Sequence, residues 1–214
     1  MGNRTRGVGR GFTLVELLVV IGIIALLISM LMPALAASRA QSLSVACNSN
    51  LRQNYQFMLI YANENKGYMF PQHMGAGQPR TQRWPLVVFR PSVWNPPTML
   101  CPMDQEPAEE HSYVVNNHFD RHHIRFGATK RISASDVILM GEKKSSEPDY
   151  YMDLKDFERV VEQWRHGARL GSNYLYMDGH VDTDRPDKAR GAIDPWDPAV
   201  EDPTPKEGGG SGAG

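Results

Sequence analysis

The chain has 214 residues, with 23 basic and 24 acidic side chains and a net charge of −1. That balance offers no general basic footprint for nucleic acid, and the local run Arg121-His-His-Ile-Arg125 with Lys130-Arg131 reads as a solvated rim or a local anion contact. No Cys-x-x-Cys, Gly-x-Ser-x-Gly, phosphate loop or His-Glu-x-x-His occurs, so the common catalytic and zinc signatures are missing.

Residues 1–11 form a basic leader with Arg4, Arg6 and Arg10 and no acid. Behind it, Leu17 to Ala37 contain no charged residue. At about 1.5 Å rise per residue such a stretch crosses a hydrocarbon core of about 30 Å, so one transmembrane helix is predicted over 12–37. The positive-inside bias keeps the leader cytoplasmic and sends the remaining chain outward. Ala34-Leu35-Ala36 fits the cleavage site of an ordinary secretory signal, but an h-region spans roughly 7 to 15 residues and this run is longer. A plain signal anchor fits the length and leaves Glu16 unexplained, because an ionisable group at membrane depth is costly and is normally paired. Pro33 lacks an N–H and its ring clashes with the preceding turn, so it either kinks the helix or is tolerated as prolines in membrane helices are; Gly22 is a second weak point.

Beyond Ala37 the pattern becomes amphipathic, with Leu43, Ala46, Cys47, Leu51, Tyr55, Met58, Leu59 and Ala62 at steps of three, four and seven. The helix is therefore expected to continue over 38–66 and to stop at Asn65-Lys66-Gly67, where glycine takes a left-handed cap and Pro71 follows. An apolar stripe on that second half requires a head domain to cover it. The head is placed at 67–183. Its first part, 75–97, is rich in Pro, Gly, Arg and Trp and reads as loop with one short element at Pro85 to Phe89. Strands are predicted at Ser112 to Asn116 and Asp136 to Gly141, and a short helix at Asp153 to Trp164 with Asp153 as N-cap. Asn173 to Thr183 alternates around Asp178-Gly179, a dipeptide suited to a two-residue hairpin turn. From 184 to 214 prolines, acids and glycines dominate, a composition that supports no core.

Gly11 followed by Phe12-Thr13-Leu14-Val15-Glu16-Leu17 resembles the leader of type IV pilins and type II secretion pseudopilins. The resemblance implies that a prepilin peptidase cuts after Gly11 and methylates Phe12, and that a proline at the place of Pro33 loosens the helix inside a filament. The freed Phe12 amine would lie within a helical turn of Glu16 on its own or a neighbouring chain, and this charge pair would set the register of one subunit beside the next. Removal of the leader leaves 20 basic against 24 acidic residues, a net charge of −4. Further along, Cys47-Asn-Ser-Asn-Leu-Arg-Gln53, Tyr61 to Gly67, Cys101-Pro-Met-Asp104, Ser112-Tyr113 with Asn116, and Arg165-His166 with Asn173 to Val181 are similar to landmarks of a pseudopilin-like, processing-associated family with an H-x9-DG pattern. Its motif falls on His166, Asp178, Gly179 and His180. Here eleven residues, not nine, separate His166 from Asp178, and the sequence alone gives no close packing between His166 and the hairpin.

These readings predict an α+β, pilin-like fold in which one long N-terminal transmembrane and amphipathic helix packs on a small antiparallel-sheet head. Outside the cytoplasm, Cys47 and Cys101 are expected to form a disulfide in preference to two buried thiols. His166, Asp178 and His180 are open to a metal or acid–base reading, but no pocket, nucleophile or cofactor motif accompanies them, and a structural role is favoured. Asp178, Asp182, Asp184 and Asp187 are calcium candidates, as the resemblance to major pseudopilins implies, against the simpler reading of a solvated acidic tail. The expected function is that of a non-enzymatic structural subunit of the bacterial inner membrane, single-pass with its head outside. Its expected partners are other pilin or pseudopilin subunits, the prepilin peptidase/methylase and a membrane assembly platform, with Trp84, Trp94 and the 75–97 loop offering variable surface. The rival is a membrane-anchored binding or hydrolytic module.

Overall fold

The computed structural model describes residues 12–70, 83–89, 96–117, 125, 133–152 and 156–184. Gly11 and the rest of the leader, Pro71, Trp94, most of the 75–97 loop, Asp153, Asp187 and the tail lie outside them, as does the basic run 121–131 apart from Arg125. The chain divides into two compact units after Ser42.

Helix α1 runs from Leu14 to Glu64 and passes through Pro33 without a break in the helical assignment. In the first unit, every side chain from Phe12 to Arg39 is exposed, and this helix is long and apolar enough to cross a membrane. In the second unit, α1 buries Ser44, Cys47, Leu51, Asn54, Met58 and Ala62. The stripe is narrower than the apolar pattern suggests: Leu43, Ala46, Tyr55 and Leu59 are half-buried, while the polar Ser44 and Asn54 are inside. Asn54 is accommodated because its amide donates to the Thr98 carbonyl at 3.0 Å. The helix ends where expected, by a different residue. The Gly67 N–H bonds the Ala62 carbonyl at 2.7 Å in a six-to-one closure, so the C′ position belongs to Lys66, at φ 59°, with Gly67 following at φ 85°.

Five strands form one sheet: β1 (Tyr113–Asn116), β2 (Ile138–Glu142), β3 (Tyr151–Met152), β4 (Ser172–Tyr176) and β5 (Val181–Asp184), in the order β3-β1-β2-β4-β5. The expectation of a purely antiparallel sheet needs correction. β3 lies parallel to β1, while the other pairings are antiparallel. A parallel partner needs a crossover, and the chain supplies it by passing through β2 before returning to the far side of β1. The period of two distributes side chains to two buried layers. Tyr113, Val115, Leu139 and Leu175 join Cys47, Leu51 and Met58 of α1, together with Trp84 and Phe89 of the short helix α2 (Trp84–Phe89); Trp84, expected to offer variable surface, is instead fully buried, its indole N–H donating to the Tyr150 carbonyl. Val114, Ile138, Tyr174 and Tyr176 face the other way, against Phe157, Val160 and Val161. The result is the α+β arrangement of a long helix packed on a small mixed sheet.

The helix expected over 153–164 shrinks to one turn, α3 (Phe157–Val160). Backbone pairing with the end of β2 overrides the helical periodicity: the Lys144 N–H bonds Val160 O at 2.8 Å, the Glu162 N–H bonds Glu142 O at 2.9 Å, and Val161 bridges Lys143. Trp164, the expected end of that helix, lies beyond it and is 47% exposed.

The hairpin is present, with a three-residue loop in place of the expected two. Tyr176 N–H bonds His180 O, and Gly179 N–H bonds Tyr176 O, which leaves Met177, Asp178 and Gly179 in the loop with Gly179 alone at positive φ, 91°. A Cβ at Gly179 would sit 2.5 Å from the Tyr55 ring, so the position needs glycine for space as well as for its backbone angle. Cys47 and Cys101 form a disulfide with Cα atoms 5.1 Å apart across 54 positions of sequence. In the chain-entropy model a loop of that size stabilises the fold by about 4 kcal/mol.

Candidate functional site

Two constructions stand out, one at the start of α1 and one inside the head. At the start, Glu16 Oε2 accepts from the Thr13 N–H at 2.9 Å and from Thr13 Oγ1 at 2.7 Å, and the Glu16 N–H donates to Thr13 Oγ1 at 3.2 Å. This is a reciprocal capping box, which satisfies donors that the first turn of any helix leaves open. The sequence reading missed it, although Thr-x-x-Glu is its signal. Glu16 thus has a partner within its own chain, three residues away.

Inside the head, Glu142 on β2 and His166 are both buried, and His166 Nε2 lies 2.9 Å from Glu142 Oε1 and 2.7 Å from the Asn173 amide nitrogen. The other carboxylate oxygen accepts from the Asn173 N–H at 2.9 Å, and the Asn173 amide donates to Oε1 at 3.3 Å. Asn173 Oδ1 takes the Thr183 hydroxyl at 2.7 Å, and Thr183 accepts from the Asn48 amide of α1 at 3.4 Å. His166 is therefore packed against the first strand of the hairpin. The extra residues between His166 and Asp178 are taken up by a turn closed by the His166 N–H on the Gly171 carbonyl at 2.9 Å, with Gly167 and Gly171 both at positive φ. Beside it, Arg165 pairs with Asp104 at 3.1 Å, their side chains 7% and 0% exposed, and also donates to Ser145 and to the Lys143 carbonyl.

Asp178 and His180 occupy the hairpin tip and do not join this network. The Asp178 carboxylate accepts from the His180 backbone N–H at 3.0 Å and from its Nδ1–H at 2.5 Å, and the His180 ring stacks on Tyr176 at 4.2 Å. Burial pulls the Asp178 carboxyl upward, but the His180 hydrogen bonds and charge outweigh it and hold the group below its usual range. Asp182 caps Thr183 instead of facing Asp178. Among the described residues, the calcium candidates Asp178 and Asp182 are not gathered into a group able to hold an ion, and the side chain of Asp184 lies outside what the structure describes; the grouping that is gathered comprises Cys47, Cys101, Glu142 and His166.

Comparison with known proteins speaks to the first construction. The prokaryotic N-terminal methylation motif matches residues 9–32. The type IV wide pilus major component PilA4 of Thermus thermophilus is 39% identical over 59 residues, which is 28% of this chain and 45% of that relative. Over its N-terminal segment the chain is similar to type IV pilins. The match spans less than half the length of the curated relative, and no solved structure matches. The segment matched by the methylation motif contains the capping box, the start of the uncharged apolar stretch from Leu17 and the weak point Gly22, and it ends one residue before Pro33.

Glu142 and Asn173 are the head residues that sequence reasoning missed. Each is one polar position in a strand, and only the sheet register brings them beside His166. His111 was missed as well. Its ring is 1% exposed, lies edge-on to Tyr150 at 3.8 Å, and neither ring nitrogen has a hydrogen-bond partner among the described residues. Burial, then the charges of Lys143 and Arg83, hold its pKa down to about 2, from an ordinary 6.5. The folded head thus binds fewer protons than the unfolded chain below pH 6.5. Stability is fully present above that pH and falls by about 1.4 kcal/mol per pH unit as acid protonates the unfolded His111. His111→Phe keeps the ring contact and removes the titration. Urea unfolding at pH 7 and pH 5 should show wild type losing about 2 kcal/mol more than the variant between the two; equal losses would refute this account of His111.

Proposed function

We propose that this chain is a pilin-type structural subunit, cut behind Gly11, methylated on Phe12 and polymerised through α1 into a type II secretion pseudopilus or a type IV pilus-like filament. The observation that carries the reading is the coincidence of the methylation motif over 9–32 with an exposed, uncharged apolar helix whose single early acid is Glu16. The likeness of the head's landmarks to pseudopilins favours the secretion system. Partners on this reading are other pilin or pseudopilin subunits, the prepilin peptidase/methylase and a membrane assembly platform. The chain sits in the inner membrane with its head outside before entering the filament.

The capping box gives Glu16 a place in the mechanism. Before assembly the carboxylate is held by Thr13, which lowers the cost of carrying it at the membrane edge. Once the peptide bond at Gly11 is cut, the Phe12 amine of an arriving neighbour is a stronger partner than a hydroxyl and an amide N–H, and the carboxylate changes hands. Pro33, helical in the single subunit, is where the packed filament would loosen first.

Intact-mass measurement on membrane-derived protein tests the reading. The expected species lacks Met1 to Gly11 and carries one added methyl group. An uncut chain, or one beginning at Ala37, would overturn it.

A further inference from the structure

The grouping of Cys47, Cys101, Glu142 and His166 is more than a disulfide beside an ion pair. The two sulfurs, one imidazole nitrogen and one carboxylate oxygen all lie within 4.8 Å of one another, and all four residues are buried. A soft thioether is adjacent: Met103 Sδ lies 3.0 Å from His166 Nδ1. The Glu142 carboxylate is itself oriented by the N–H and amide of Asn173, an arrangement that fixes a ligand from behind.

Two thiolates, an imidazole and a carboxylate are the donor set of a closed tetrahedral zinc site. Ligand atoms around zinc stand about 3.5 Å apart, so the present spacing requires contraction of roughly 1 Å at its widest and separation of the two sulfurs from bonding distance. We propose that the Cys47–Cys101 disulfide and a buried zinc(II) site are alternative states of one staple, the metal occupying it whenever the two cysteines are reduced. Either state ties α1 to the 101–104 segment, and the metal state also draws in β2 and the turn before β4. Binding converts two thiols to thiolates and releases two protons. Oxidation reverses it: the two bound thiolates give up two electrons to an external disulfide oxidant, the disulfide forms, zinc leaves, and the oxidant takes two protons to become two thiols. A freshly made subunit, not yet oxidised, would therefore have a folded head.

The test uses the full chain in detergent, without oxygen, in oxidised and phosphine-reduced forms. Cobalt(II) is the probe because its thiolate complexes absorb strongly, and zinc(II) then competes with it. The expected result for the reduced chain is one cobalt per chain with sulfur-to-metal absorption, displaced by zinc, together with a zinc-dependent rise in thermal midpoint. The oxidised chain should show neither. His166→Gln should weaken cobalt binding at least tenfold, and the double variant Cys47→Ser, Cys101→Ser should abolish the absorption. A reduced wild-type chain without thiolate absorption, equal binding by the oxidised chain, or undiminished affinity in the double variant would each overturn the proposal.

Discussion

Glu16→Ala is expected to leave the subunit inserted in the membrane and processed, yet absent from filaments. Membrane insertion depends on the uncharged stretch from Leu17 onward, which the substitution does not touch. Assembly depends on the carboxylate meeting a neighbour's Phe12 amine in an apolar setting, and losing one partner of a buried pair costs about 3 to 5 kcal/mol, a factor of about 150 to 5,000 in each addition step. Because Glu16 is also half of a capping box, a control is needed for helix fraying. Thr13→Val removes the hydroxyl that accepts from the Glu16 N–H and donates to its carboxylate, at a cost of about 1 kcal/mol, while leaving the carboxylate for the amine. Quantifying both variants in sheared filament and membrane fractions separates the two roles. Glu16→Ala recovered in filaments at the wild-type level would reject the pairing, and Thr13→Val as defective as Glu16→Ala would show that the cap, not the charge, is what assembly needs.

Glu142→Ala should be the most damaging single change in the head. The carboxylate is fully buried and serves the His166 ring, the Asn173 N–H and the Asn173 amide together. Its removal strands those donors without water, for which a loss of about 3 to 5 kcal/mol is expected. Glu142→Gln keeps the shape and one acceptor oxygen and should cost less. A double-mutant cycle with His166→Ala should give a coupling of at least about 1 kcal/mol, since the two side chains touch. Urea unfolding of the oxidised chain measures all three. A loss within about 1 kcal/mol for Glu142→Ala would mean that His166 and Asn173 find other partners.

Much of this molecule is legible in its sequence, and the reasons are local. The length of α1, its end near Gly67, the strands around Val114 and Leu139 and the hairpin at Gly179 all follow from signals carried within a few residues. Errors came where distant backbone decides. Val160 to Glu162 have helical spacing in sequence but are captured by the open end of β2, and β3 is two residues whose parallel pairing no local pattern announces. The hairpin turn differs by one residue because Asp178 spends its carboxylate on His180, leaving only glycine in the left-handed region. The buried polar network was invisible for a related reason: Asn48, Glu142, His166, Asn173 and Thr183 are scattered along the chain, and each alone passes for a surface residue. The capping box is the exception, since Thr13 and Glu16 carry its Thr-x-x-Glu spacing openly in the sequence.

The position of the disulfide has a mechanical consequence. Tension entering along α1 reaches Cys47 at the beginning of the buried stripe and can pass through the covalent bond to Cys101, bypassing residues 48–100. The last turns of α1, the C-terminal closure at Lys66 and helix α2 all fall inside that bypassed loop. Pulling on the oxidised subunit would carry load through the disulfide into residue 101 and the sheet beyond it, relieving the chain between the two cysteines.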